Sequence, residues 1–189
     1  MQNFILDGKS LTLETVAQVA YSKSTEVRVA LSDKAKKKIL ESRRYILSRI
    51  RSDEAIYGVN TGFGLLSKVR IDKEKLDELQ VNLIRSHAVG VGRPLSIPEV
   101  RAAMLLRANT LIQGHSGVSL ELIDALLKLL NAGIHPWIPE QGSVGACGDL
   151  APLAHLSLVL IGEGEAYVGD KLVEGHVALK FAKLKPYKL

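Results

Sequence analysis

A single cysteine, Cys147, among 189 residues excludes an internal disulfide and fits a reducing compartment. Aromatic residues are scarce, at 5%, which removes the stacking rings that single-stranded nucleic acid needs. No run of about 18 uninterrupted apolar residues occurs, so no membrane span is expected. The opening residues Met1–Gly8 lack a basic stretch leading into a long apolar run. No signal peptide is therefore expected, and the cytoplasm is the default location. What the chain does have is 47% hydrophobic residues, enough to build a core and to exclude disorder as a description of the whole. Its formal charge of +5 comes from lysines and arginines grouped at 34–51 and at 180–188. The first group follows a helical pattern and the second sits at a chain end, so both read as solvated faces rather than a nucleic-acid surface.

Along the chain, Phe4–Leu13 reads as two short strands around Asp7-Gly8, a favoured hairpin turn. Thr12 caps a short helix over Leu13–Tyr21. Val27, Val29 and Leu31 alternate with polar or small residues, as in a half-buried strand. Ser32 caps a helix to about Arg51, with Ala35, Ile39, Ile46 and Ile50 on one face. The spacing predicts a helix from Asp72 with Leu76, Leu79, Leu83 and Ile84 as its buried stripe. Ser96-Ile97-Pro98-Glu99 is a capping box with proline in the first turn, opening a helix to about Gln113. Ser119 caps Leu120–Asn131, which ends at Gly133. His135–Pro139 cannot be helical. Asp149 is placed to cap Leu150–Ile161, with Pro152 tolerated in its first turn. Gly169-Asp170 turns a last hairpin over Glu165–Val173. The expected fold is mainly α with short β-hairpins, one domain over 1–189, with no repeat and no interior linker.

The chemistry concentrates in Gly142-Ser143-Val144-Gly145-Ala146-Cys147-Gly148-Asp149-Leu150-Ala151-Pro152-Leu153-Ala154-His155. Ala146-Cys147-Gly148 puts three small residues directly before a helix start, where a backbone with little side-chain bulk can fold back on itself. The Gly148 nitrogen can then reach the Ala146 carbonyl carbon and close a five-membered ring. The Cys147 β-carbon carries a sulfur that can leave by elimination. The amides at the start of the following helix favour developing negative charge. An isolated Ala-Cys-Gly would ordinarily be only a turn into a capped helix; the full run to His155 is what argues otherwise.

This run resembles the signature of the aromatic amino acid ammonia-lyases. In that family an Ala-Ser-Gly triplet cyclises and dehydrates to methylidene-imidazolone (MIO), an electrophile made from the main chain. The chain departs from the pattern at one position, with Cys147 where the family has serine. A helix start lowers a thiol's pKa, and loss of hydrogen sulfide in place of water gives the same methylidene product. Two outcomes stay open: a competent precursor in the intact protein, or a trapped, uncyclised peptide. The packing that compresses the loop requires the rest of the family's fold.

A second run, Tyr57-Gly58-Val59-Asn60-Thr61-Gly62-Phe63-Gly64, has three glycines in eight residues. That composition marks a loop whose backbone can approach a ligand closely. The resemblance implies that Tyr57 serves in acid–base chemistry beside MIO. A phenol ordinarily titrates near 10 and acts as a base near neutrality only where cationic or dipolar surroundings lower it. Asn60 is a candidate for a polar contact to substrate or to its own loop. His87, in Ser86-His87-Ala88, resembles the family's selectivity position. A histidine there suits a polar ring and disfavours a purely apolar one, which would leave the site's polar group unpaired. Followed by Gly90-Val91-Gly92, it looks more like the histidine-specific lyases than the tyrosine-specific ones. Asp149 orients the cyclising loop, caps its helix, or both.

His115, His135 and His155 match no metal-ligand spacing, so no metal is expected. The glycine pairs do not follow a strand into a helix as a dinucleotide site requires. Val144–Gly148 lacks the Gly-x-nucleophile-x-Gly elbow of a hydrolase. The resemblance therefore implies the N-terminal, MIO-bearing part of an ammonia-lyase fold of the L-aspartase/fumarase type, ahead of a long helical bundle. It implies a homotetramer in the full-length protein, and conversion of L-histidine to urocanate and ammonia. It also implies little or no activity in the 189 residues alone. A tyrosine ammonia-lyase, an aromatic aminomutase or a non-catalytic scaffold are the alternatives.

Overall fold

In a computed structural model, residues 1–50, 55–62, 68–71, 73–144 and 148–188 are described. The first strand, β1 (Gln2–Leu6), does not turn back on itself as the sequence predicts. The Asp7 carboxylate accepts the amides of Lys9 and Ser10, each at 2.8 Å, which holds Asp7 well below the usual carboxylate range, at about 2. That side-chain turn leads directly to α1 (Leu13–Tyr21), capped by Thr12. β1 pairs instead in parallel with β2 (Val27–Leu31), from Gln2 against Val27 to Leu6 against Leu31. The helix between them makes the crossover that a parallel pair needs.

Ser32 accepts the Ala35 amide at 3.1 Å and starts α2 (Asp33–Ile50). Ala35 and Ile39 are buried as expected, while Ile46 and Ile50 are only half-buried. A single 3-10 turn at Lys73–Lys75 precedes α3 (Leu76–His87); Asp72, the expected start, lies outside the described residues. The expected buried stripe is corrected too. No residue of α3 is fully buried, and Leu76, Leu79, Leu83 and Ile84 are all half-buried. α3 lies on the rim.

The centre belongs to α4 (Ile97–Leu111) and α5 (Leu120–Ala132). The Ser96–Glu99 capping box opens α4, Ser119 accepts the Leu122 amide at 3.1 Å, and Gly133 closes α5 in the left-handed region at φ 69°. Their facing residues, among them Met104, Leu105, Ala108, Ile123 and Leu129, are completely buried. Leu156 and Val159 of α6 (Leu150–Leu160) belong to the same core.

Three short strand pairings complete the frame. β3 (Val91–Pro94) pairs antiparallel with β5 (Pro139–Gln141). β4 (Ile134–Pro136) pairs with β6 (Glu165–Val168), which pairs with β7 (Lys171–Glu174). The hairpin expected at the end is thus present, followed by α7 (Gly175–Phe181). Among the described residues no helix is long and apolar enough to cross a membrane.

Candidate active site

The C-terminal end of α3 meets the N-terminal end of α6 across two facing glycines. A Cβ on Gly142 would lie 3.1 Å from the Gly90 Cα and 3.0 Å from the Ala151 Cβ. A Cβ on Gly90 would lie 3.1 Å from the Pro139 Cβ and 3.2 Å from the Gln141 oxygen. Any side chain at either position would push the two segments apart. The β3–β5 pairing fixes the approach from below, and His155 from the side: its Nε2 accepts the Gly90 amide at 3.1 Å. The edge of the His155 ring faces Trp137, with centroids 6.1 Å apart and planes at 69°.

His87 stands three residues before Gly90. Its Nδ1 lies 2.8 Å from the Leu83 carbonyl oxygen, which can only accept, so Nδ1 carries the proton. In the neutral ring Nε2 is then the acceptor. Ser86 donates to the same carbonyl at 3.0 Å and lies 3.1 Å from His87 Nδ1. The outcome is a half-buried imidazole of fixed tautomer, with the lone pair on its far nitrogen.

The loop between Gly142 and α6 is drawn closed by its own ends, because the Ser143 hydroxyl donates to the Asp149 carboxylate. Of the two roles expected for Asp149, this favours the one in the loop. Asp149 occupies the N-cap position of α6, but at φ 56° and ψ 42°, with no side-chain cap hydrogen bond. Its carboxylate serves the loop instead of the helix. Gly148, immediately before it, is also left-handed, at φ 76°, and no described atom lies within 4 Å of where its Cβ would point. Ala146 and Cys147 lie outside the described residues. The frame around them fits ring closure: two consecutive left-handed residues turn the chain sharply, no described atom crowds the side without a Cβ, and the amides of α6 follow. Among the described residues no cluster of three possible metal ligands occurs.

Tyr57 and Asn60 sit on a separate small hairpin. The Val59 and Asn60 amides donate to the Ile56 carbonyl at 3.0 and 3.2 Å, Ile71 donates to the Asn60 carbonyl at 2.9 Å, and Thr61 bridges Arg70. The Asn60 side chain is 2% exposed and its Oδ1 accepts the Ile56 amide at 2.6 Å. That commits the oxygen to holding the turn. Tyr57, on that turn, is 64% exposed. The structure thus places His87 three residues before the Gly90–Gly142 contact and Gly148 and Asp149 at the start of α6, while the Tyr57 side chain is exposed on a hairpin whose Asn60 and Thr61 are buried. Phe63 and Gly64 lie outside the described residues.

Exposed valines and a leucine border the junction: Val89, Val91, Val144 and Leu150. A cleft of about 410 Å³ lined by Lys9, Lys38, Gln113 and His115 shares no residue with this region. Sequence reading missed the Gly90–His155 bond and the Arg85–Glu163 ion pair, whose two hydrogen bonds measure 2.5 and 3.0 Å. Both join residues more than sixty positions apart, and no local pattern marks such contacts.

The sequence pattern of aromatic amino acid lyases matches residues 11–189. A histidine ammonia-lyase of Anaeromyxobacter sp. (strain K) is 48% identical, covering 100% of this chain and 38% of its own length. The solved ergothionase of Treponema denticola superposes with a TM-score of 0.94 at 35% identity, over 100% of this chain and 37% of that one. The histidine ammonia-lyase of Trypanosoma cruzi gives 0.90 at 39% identity, over 100% and 35%. The chain therefore spans well under half the length of the relatives it matches.

Proposed function

This chain belongs to the aromatic amino acid lyase family, and from that premise we propose that it is the N-terminal, electrophile-bearing part of a histidine ammonia-lyase. The reaction is the non-oxidative deamination of L-histidine to urocanate and ammonia. The observation that carries the choice of substrate is the His87 ring, whose Nδ1 is held by the Leu83 carbonyl at 2.8 Å. Its Nε2 is left to accept a hydrogen bond from the N–H of a substrate imidazole. A purely apolar ring would leave that acceptor unpaired, at a cost of about 1–3 kcal/mol. The high identity to relatives named histidine ammonia-lyases supports the same choice.

MIO, formed from Ala146-Cys147-Gly148, would supply an electrophilic methylidene carbon there. The chain's own residues do the rest. Ser143 and Asp149 close the ends of the loop. The first amides of α6 point toward it and favour negative charge. His87 orients the substrate ring. Tyr57 moves the proton, once the remainder of the protein covers its exposed hairpin, and Asn60 holds the turn that carries it. Orientation against a pre-formed electrophile supplies most of the acceleration, with acid–base help worth about 10²–10⁴. In the whole protein, a cytoplasmic homotetramer, the rest of the site comes from sequence beyond these residues, and the 189 residues alone turn over little or no substrate.

Intact mass tests the electrophile. Closure and elimination remove one water and one hydrogen sulfide; an open chain retains both and reacts with a thiol reagent at Cys147. Turnover by the whole enzyme tests the substrate: L-histidine is consumed and L-tyrosine is not. Turnover of tyrosine alone removes the histidine reading.

A further inference from the structure

We propose that His155 is a positioning residue: by accepting the Gly90 amide it fixes the His87-bearing end of α3 against the helix that carries the Ala146-Cys147-Gly148 loop. The assignment of a purpose to this clamp rests on the lyase reading above; the clamp itself rests on geometry.

α6 is the common frame. The loop enters its N-terminal end, and His155 stands one turn further in. From there Nε2 reaches back to the Gly90 amide at 3.1 Å. At the other end, Glu163, just beyond α6, holds Arg85. The two ties thus flank His87, two residues before it and three after. With both made, the position of His87 relative to the start of α6 is set by a length of rigid helix. The two ties are unequal. The Arg85 and Glu163 side chains are 54% and 37% exposed, so their attraction is weakened by water and salt. The imidazole is half-buried, edge-on to Trp137, and lies 3.2 Å from where a Gly90 Cβ would be. Burial lowers the pKa of His155, which favours the uncharged ring with a free acceptor. Accepting at Nε2 also places the proton on Nδ1, so the tautomer is fixed.

The test uses the isotope-labelled whole protein, reading amide hydrogen exchange at Gly90 and the ring-nitrogen signals of His87. His155→Leu keeps the packing and removes the acceptor. His155→Gln offers an amide oxygen at nearly the reach of Nε2. The leucine variant should speed Gly90 exchange by about tenfold, the scale of one lost hydrogen bond, and shift the His87 signals. The glutamine variant should return exchange to within about twofold of the parent. Amides of α4 and α5 should not change in either. Should the leucine variant fail to fold, His155→Asn, too short to reach, replaces it. Gly90 exchange that ignores the leucine change, or a glutamine variant that exchanges as fast as leucine, overturns the clamp. Intact mass and substrate turnover bear on the lyase reading alone, so the two failures are separable.

Discussion

Arg101 is 2% exposed, inside α4, with no carboxylate described beside it. Its Nε donates to the Val19 carbonyl at 3.0 Å and its Nη1 to the Leu130 carbonyl at 3.3 Å. Nη1 also lies 3.3 Å from His135 Nε2, and among the described residues Nη2 has no hydrogen-bond partner. Burial lowers the pKa of this guanidinium. Burial, and then the neighbouring positive charge, push His135 down from 6.5 to about 4. A native-state pKa below the unfolded value means that the unfolded chain binds the proton first. The stabilisation is complete above about pH 6.5 and is lost as pH falls through that value toward 4, by about 3 kcal/mol for a shift of this size. Urea midpoints measured from pH 7.5 down to pH 4 should fall over that window. In His135→Gln, which keeps a neutral acceptor, the fall should be much shallower. The facing glycines give a second expectation at this scale. Gly142→Ala places a methyl 3.1 Å from the Gly90 Cα, and should cost about 1–3 kcal/mol as overpacking does, read from the thermal midpoint. None of this was legible beforehand. Arg101 and His135 look like ordinary surface residues in the sequence, and only the tertiary fold buries them together.

Elements were legible where their signals are local. Thr12, Ser32, Ser96 and Ser119 each mark the helix that follows, because a cap bonds an amide three residues away. Ser96→Ala should remove the hydroxyl's half of the capping box, leaving the residue-96 amide donating to Glu99, and cost about 1 kcal/mol, measured by chemical denaturation. Elements became illegible where partners are distant. β1 pairs with a strand across a whole helix, and β3 with a strand far along the chain. The Asp7-Gly8 pair is a turn in either reading; what differs is the carboxylate that bends the chain toward α1. Asp149 stayed ambiguous in the sequence for a related reason. Its position relative to α6 is that of a cap, but its backbone is left-handed and its side chain is taken by Ser143. A capping aspartate replaced by alanine would free one helix amide; here it should instead open the loop. Asp149→Ala is therefore expected to lower the yield of mass-shifted protein, with a smaller effect on the melting temperature than Ser96→Ala. Equal yields with a large loss of stability would show a plain helix cap.

At the scale of the molecule, α6 is apolar on nearly every side, as in a helix at the centre of a larger structure. Yet Leu150 at its start is 48% exposed. α3, packed along it, buries none of its residues fully. Val89, Val91 and Val144 surround the Gly90–Gly142 contact, exposed to 67%, 61% and 73%. Apolar side chains grouped around a functional junction ordinarily meet another surface. The relatives are more than twice as long as this chain, so they have material to cover such a face. The 189 residues in isolation should then associate through it. Light scattering after size exclusion should show an average mass that rises with concentration. Val144→Lys together with Leu150→Glu should return it toward the 20.6 kDa of one chain. The glutamate falls in the first turn of α6, where a negative charge is favourable, and Val144 lies in a loop, so neither change should reduce stability by more than about 0.5 kcal/mol. Loss of association at unchanged stability assigns the contact to this face. Association that survives both changes places it elsewhere, and a concentration-independent monomer means that the exposed valines need no cover.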